Sequence, residues 1–490
     1  MPKNKPEKVS ESNSEKKIEK ARENLRFLLK DYEKKDLYKR IVKLPKTDLH
    51  CHLDGSLRLE TVIDLIREEG IPYPIDAEYL QSILVKDNMI FAKDKSLEEY
   101  LKAFSITCSV LQTKCSLERV AFELAEDAAK ENVRYLEVRF APILHTNKGM
   151  KLKEVTNAVI DGLTLAEKKF NITCGVIICA LRHYVPCAIQ DNLLRSMPHA
   201  SPEEASVVMA IQSSKHTAYM ARNNPKIVGF DLAGGEYGNP ATRYMKAFAS
   251  PREHCIPITI HAGEGFGPKS IRQAILSGHA DRIGHGTNLY QDPLLTSYFV
   301  NERIPLEVCI TSNLQTNSEI HTYDSHPLKY YLQNRLRTTI NTDNRLVSNT
   351  TVSKELYIIS KVFNLDFDEI KLLIMHGFNS TFYNCHFPSS KNSYNYLRGM
   401  RTEVEGELQS EKVQDRVRKR WMKELHKRDE KERVRAMQVV HDREKEVEHH
   451  PEEQIPDEVA ELSDRHKSST INYRDENGEK QTRTGMPDGF

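Results

Sequence analysis

Between Leu44 and about Phe387 the chain repeats one pattern eight times: a short β-branched or apolar run, then a longer stretch with helical spacing. The candidate strands are Leu44–His50, Val133–Phe140, Thr173–Leu181, Ile227–Leu232, Ile256–His261, Arg282–His285, Pro305–Cys309 and Arg337–Asn341. Several are nearly continuous in apolar residues, as strands buried on both faces of a parallel sheet are. Eight strand–helix units over this length predict an α/β fold, a (β/α)8 TIM barrel. An open doubly wound sheet is the alternative, but no Gly-rich phosphate fingerprint follows an early strand. The connection from Leu53 to Asn132 is too long for one helix, so extra helices are expected there, able to cover the mouth of the barrel.

The flanking segments differ in kind. Hydrophobic residues make up 39% of the 490 residues and charged residues 29%. That balance is too polar for a single compact domain and points to extensions outside the core. Residues 1 to about 14 read as disordered. Ile18, Leu25, Leu28, Leu29 and Tyr32 then recur at helical spacing, so 1–43 is expected to be a disordered start plus an amphipathic helix lying on the main domain. The barrel domain is expected over 44–387. A linker and a charged helix follow over 388–442, with Val413, Val417, Trp421 and Leu425 every fourth residue. Such a narrow stripe either docks on the barrel or mediates self-association. Residues 443–490 read as a disordered tail, in which His449-His450 is a solvated pair rather than a metal site.

The net charge of +1 argues against nucleic acid and acidic membranes as partners. No apolar run is long enough to span a bilayer, and the first residues lack the apolar region of a secretory signal. Nine cysteines without a C-x-x-C pair suggest reduced thiols and a cytoplasmic protein.

Chemistry concentrates at the expected strand ends. His50 and His52 lie two apart, so on a strand they point to the same side. His261 ends the fifth strand, and His285 ends the sixth. Asp343 follows the eighth. Parallel barrel strands all emerge on one face, so these groups can converge despite their separation in sequence. Three imidazoles and a carboxylate (His50, His52, His261 and Asp343) suit one zinc ion with an open position. Such an ion lowers the pKa of water towards ~7. His285 is then the candidate base or electrostatic partner for the water. Glu264 lies three residues beyond His261 and is the candidate proton donor. Its simpler role would be a carboxylate orienting His261.

His50-Cys-His-Leu-Asp-Gly-Ser56, Val138-Arg-Phe-Ala-Pro142, Asp231-Leu-Ala-Gly234, His261-Ala-Gly-Glu264, Arg282-Ile-Gly-His-Gly286, Thr311-Ser-Asn313 and Asn341-Thr-Asp343 occur together and in order. Over roughly residues 44 to 385 the chain resembles the adenosine deaminase family of metal-dependent amidohydrolase barrels. The resemblance implies one zinc per chain and hydrolytic deamination of adenosine and 2′-deoxyadenosine, releasing ammonia. It makes His50, His52, His261 and Asp343 the metal ligands, Glu264 the proton donor to purine N1, and His285 the residue that orients and deprotonates the water. Asp54 would bond the ribose 5′-hydroxyl and Gly234 purine N3. Leu101 and Phe104 fall where the family places an apolar lid, although a helix face packed on the barrel would place them equally well. Many relatives end the last motif in two aspartates, where this chain has Asn344. An amide there can still donate to purine N7 without a protonated carboxyl.

The expected substrate is therefore a purine nucleoside. The alternatives are deamination of adenine, AMP or an N6-modified adenosine, and a catalytically idle barrel serving as an interaction protein.

Overall fold

The computed structural model describes residues 13–92, 96–183, 192, 195–197, 199–383, 471–474 and 480–483. The chain divides into two compact units, Met1–Trp421 and Met422–Phe490. In the first, eight parallel strands run in sequence order: β1 Lys46–His52, β2 Val133–Phe140, β3 Thr173–Leu181, β4 Ile227–Ala233, β5 Ile258–Ala262, β6 Arg282–His285, β7 Leu306–Val308 and β8 Thr338–Ile340. β8 meets β1 just past its own end. His52 N–H donates to Asp343 O (2.7 Å) and Asp343 N–H donates to His50 O (2.8 Å). This is the (β/α)8 barrel the strand count predicts, and its closure brings the first and last strands' functional residues side by side.

The starts of β1 and β5 each fall two residues later than expected, for one reason. Proline has no N–H to give to a ladder. Leu44 closes the preceding helix, Asp36–Lys43, by donating to Ile41 O, so β1 starts only after Pro45. Ile256 likewise bonds back to Pro251 O, and β5 starts after Pro257. The shift at β1 carries both His50 and His52 inside the strand.

Between β1 and β2 lie the helices Leu59–Glu69, Ala77–Leu84, Leu97–Leu101, Phe104–Val110 and Lys114–Lys130. The long connection therefore does contain extra helices. The N-terminal helix spans Asn13–Leu29, and Leu25, Leu28 and Leu29 pack against the main core. Tyr32 falls beyond it, in the turn Tyr32–Lys34, and packs on the same core.

The barrel interior is not wholly apolar. Arg139, Glu137, Asp231, Arg282 and Glu307 all have at most 1% of their surface exposed. Arg139 pairs with Asp231 (3.2 Å) and Glu307 (2.8 Å), and Arg282 pairs with Glu137 (2.5 Å) and Glu307 (2.6 Å). Buried charges persist only when so paired.

The expected linker and charged helix over 388–442, with its docking or self-association, and His449-His450 lie outside the described residues. Within 443–490 the described residues form one antiparallel pair, Ile471–Arg474 with Lys480–Arg483. No described helix is long and apolar enough to cross a membrane.

Candidate active site

The C-terminal ends of β1, β5, β6 and β8 bring His50, His52, His261, His285 and Asp343 together. His52 Nε2 lies 3.2 Å from His261 Nε2. Asp343 Oδ1 lies 3.4 Å from both His50 Nε2 and His52 Nε2. Two donors held ~2.1 Å from one ion at the tetrahedral angle stand about 3.4 Å apart. The spacing therefore fits a single small cation. His50 Nε2 is also buried without a hydrogen-bond partner, as an atom reserved for a metal would be. His50, His52 and His261 form one metal-competent group, and His50, His285 and Asp343 another.

Each ring is aimed by its other nitrogen. His50 Nδ1 pairs with Glu307 Oε2 at 2.7 Å, and His261 Nδ1 with Asp231 Oδ1 at 3.1 Å. A carboxylate there accepts a hydrogen bond from Nδ1–H, which keeps the ring proton on Nδ1 and leaves Nε2 free to bind a cation. Burial opposes ionisation of Asp231, but His261 and Arg139 outweigh it and hold the carboxyl well below the usual range. Glu307 is held low in the same way, burial being overcome by Arg139 and Arg282. Motif reading included Arg139, Arg282 and Ser312 but gave them no role, and it missed Glu307 and Thr316, whose only signal was polarity inside otherwise apolar runs.

His285 and Asp343 both have left-handed backbone, with φ of 62° and 59°. Non-glycine residues pay conformational energy there and hold it where a site demands it. Both side chains line the cavity at the barrel mouth. Ser312 Oγ donates to Asp343 Oδ2 at 2.6 Å. His285 ends a directed chain. Leu328 N–H donates to His326 Nδ1 (3.0 Å), His326 Nε2 pairs with Asn313 Oδ1 (3.2 Å), and Asn313 Nδ2 with His285 Nδ1 (2.9 Å). A backbone N–H can only donate, so it fixes the sense of every later link while the rings are neutral. Burial pushes His326 down to about 3. Burial, then the neighbouring His50, holds His285 well below its usual value. Neutral His285 therefore carries its proton on Nε2, 3.5 Å from Glu264 Oε2.

Glu264 is 6% exposed. Burial first, then the charge of Asp343, pushes its pKa up to about 8. Thr316 Oγ1 donates to Glu264 Oε1 at 3.0 Å. Its backbone is clamped by Glu236, which accepts from the N–H groups of Gly263 (2.6 Å), Glu264 (3.0 Å) and Gly265 (2.8 Å). A Cβ at Gly263 (φ +75°) would stand 2.5 Å from Ile271, so this clamp needs glycine.

A cavity of about 480 Å³ opens over the cluster, within the range of small-molecule sites. His52, Asp54, Leu101, Phe104, Gly234, His261, Glu264, His285, Asp343 and Asn344 line it, with Tyr100, Cys108 and His183. Every residue singled out from the sequence thus borders it except His50, which is fully buried beneath. Burial raises Asp54 to about 7, and its Oδ1 has no hydrogen-bond partner. No lysine or arginine lines the cavity among the described residues. Gly234 (φ +94°) passes so close to the His183 ring that a Cβ would stand 2.8 Å from it.

The family model described as Adenosine deaminase matches residues 45–390. The adenosine deaminase of Clostridium perfringens (strain SM101 / Type A) is 38% identical over 344 residues, which are 70% of this chain and 95% of that one. That of Clostridium kluyveri is 38% identical over 346 residues, 70% of this chain and 91% of that one. Among solved structures, an Arabidopsis N6-mAMP deaminase is 25% identical with a TM-score of 0.60, covering 74% of this chain and 99% of that one. An amidohydrolase from Burkholderia ambifaria, solved with bound Zn, shares the fold at 19% identity and a TM-score of 0.58, covering 76% of this chain and 95% of that one.

Proposed function

Because the chain belongs to the adenosine deaminase family of hydrolytic deaminases, we propose that it converts adenosine and 2′-deoxyadenosine to the inosine nucleosides and ammonia, with one zinc ion per chain. His50, His52, His261 and Asp343 hold the ion. Their donor set and ~3.4 Å spacing suit zinc. When bound, the ion supplies Lewis acidity and makes water nucleophilic at neutral pH.

The side chains do the rest. Glu264, neutral because burial holds its pKa at about 8, gives its proton to purine N1 and so makes C6 electrophilic. His285 orients the attacking water by donating from Nε2, since its Nδ1 already accepts from Asn313. That differs from the base role expected from the sequence. The Asp343 carboxylate takes the proton that the water loses. Asp343 stands ionised to accept it: burial opposes ionisation, and His50 outweighs it. C6 then gains the oxygen and loses the amino group, which leaves with that proton as ammonia, while the second water proton passes from O6 back to Glu264 as the C6 carbonyl forms.

The substrate is carried by one observation: an unpartnered, buried Asp54 Oδ1 in a cavity that no lysine or arginine lines among the described residues. A ribose 5′-hydroxyl satisfies that oxygen. A 5′-phosphate would bring further negative charge beside a carboxyl whose ionisation burial already opposes, with no cation among the described lining residues to offset it. Free adenine would leave it bare, which costs selectivity. Gly234 N–H serves purine N3, the Asn344 amide serves N7, and Leu101 and Phe104 cover the ring. Ammonia release compared on adenosine, deoxyadenosine, adenine, AMP and N6-methyladenosine, with metal analysis of the same sample, tests this. Faster turnover of AMP or adenine would overturn the nucleoside assignment.

A further inference from the structure

Asn344 does not stand alone. Its Nδ2 donates to the Tyr100 hydroxyl at 3.0 Å, that hydroxyl pairs with Ser348 Oγ at 2.8 Å, and Ser348 Oγ donates to Gln315 Oε1 at 2.8 Å. Three segments contribute: helix Leu97–Leu101, helix Ile310–Thr316 and the loop after β8. Tyr100, Gln315, Asn344 and Ser348 expose no more than 3% of their surface. One amide atom at each end has no partner, Asn344 Oδ1 and Gln315 Nε2.

Every member of this chain can donate or accept. A half-turn of both amides reverses all three bonds. Gln315 Nε2 then donates to Ser348, Ser348 to Tyr100, and Tyr100 to Asn344 Oδ1. Turning Asn344 alone would set its oxygen against a hydroxyl oxygen whose proton is already committed to Ser348. The sense of the chain is therefore collective, and it decides which atom of Asn344, a residue of the cavity wall, is left without a partner: the oxygen in one sense, an N–H in the other. Gly55 makes room for the amide, since a Cβ there would stand 1.8 Å from Asn344 Oδ1.

We propose that Ser348 and Gln315, acting through Tyr100, are positioning residues that set the hydrogen-bonding sense of Asn344 and so determine which purine edge the site selects at position 7. The inference rests on the nucleoside reading above. An N7 acceptor draws the chain into the sense in which Gln315 donates. A ring carrying N–H at that position draws it into the other. A carboxylate in place of Asn344 could serve N7 only when protonated, whereas this relay reverses without any change of charge.

The test uses two ligands that offer Glu264 no N1 to protonate and so do not turn over: 1-deazaadenosine, which keeps N7, and 1,7-dideazaadenosine, which does not. Their dissociation constants from the zinc-loaded full-length protein are compared by calorimetry. Wild type is expected to bind the first about tenfold more tightly, the worth of one hydrogen bond, at every pH. In Gln315→Glu the preference holds while the new carboxyl is protonated and is lost as it ionises, because a carboxylate can only accept and locks Asn344 with its oxygen outward. Adding Ser348→Ala cuts the lock and restores the preference. A role confined to packing would weaken both ligands alike, and two lesions would not rescue one.

An unchanged preference in Gln315→Glu, or a double variant no better than the single, overturns the relay. So does a wild type indifferent to the two ligands, a result that needs no variant to fold. Adenosine turnover is measured on the same wild-type sample. Its absence overturns the nucleoside reading itself, whereas turnover with an unaltered probe preference overturns the relay alone.

Discussion

Glu307→Gln should weaken the metal site and the barrel together. Glu307 Oε2 accepts from His50 Nδ1 (2.7 Å) and Arg139 (2.8 Å), and Oε1 from Arg282 Nε (2.6 Å) and Thr259 Oγ1 (2.9 Å). All four contacts are buried, and all four are made by donors. An amide keeps one acceptor oxygen and presents an NH2 group on the other side. With that NH2 facing His50 and Arg139, the ring must accept at Nδ1, which moves its proton to Nε2 and removes it as a ligand. With the amide turned over, NH2 meets Arg282 and Thr259 instead. Breaking a buried pair costs about 3–5 kcal/mol. The lower end, about 3 kcal/mol, applies here because Arg139 keeps Asp231 and Arg282 keeps Glu137. Loss of such a carboxylate behind a metal-binding histidine lowers metal affinity about 10–100-fold. Urea unfolding of the metal-free protein reads the first effect, and competition with a chelator reads the second. A variant within about 0.5 kcal/mol of wild type and with unchanged zinc affinity would refute the view that Glu307 holds His50 for the metal.

Glu264→Gln should lower kcat about 10²–10⁴-fold and leave zinc near one per chain; retained turnover would remove Glu264 from the proton-donor role. The same role fixes the sign of the pH dependence. Glu264 works protonated, so turnover is full below its pKa of about 8 and falls as pH rises through it. A bound cation moves that limb only to lower pH, and a rate still climbing well above pH 8 would contradict the assignment. Asp54→Asn should raise the KM for adenosine more than that for 5′-deoxyadenosine; an equal change for both would show that Asp54 does not meet the 5′-hydroxyl.

The barrel was legible because its determinants are local. Each strand from Val133–Phe140 to Arg337–Asn341 announced itself by composition, and parallel strands then leave little choice of topology. The starts of β1 and β5 moved by two residues because Pro45 and Pro257 break the ladder, a signal present in the sequence but weighted below the apolar run. The cluster of His50, His52, His261, His285 and Asp343 was legible because chain order around a barrel places all strand ends on one face. What supports the cluster was not. Glu307 sits in Pro305–Cys309, where a lone acid in an apolar run gives no hint that Arg139 and Arg282 reach it from two other strands. The sense of the chain from Leu328 through His326 and Asn313 to His285 depends on one backbone N–H, and no side-chain pattern encodes that.

This division between what the chain order reveals and what it hides also bears on substrate. In the proposed mechanism the chemistry at C6 uses the cluster, Glu264 and His285, and those would serve a nucleobase, nucleoside or nucleotide equally. Selection has to come from the far side of the same cavity, where Asp54 carries an unmet oxygen and no lysine or arginine is present among the described residues. Introducing one cation beside Asp54, as in Gln112→Arg or Ser109→Arg on the cavity wall, should therefore raise the KM for adenosine and lower that for AMP. It should leave the pH limb assigned to Glu264 in place, because the reacting end is untouched. If AMP gains nothing from either arginine, the cavity's lack of cations is not what excludes the phosphate, and Asp54 loses its place as the residue that sets the substrate class.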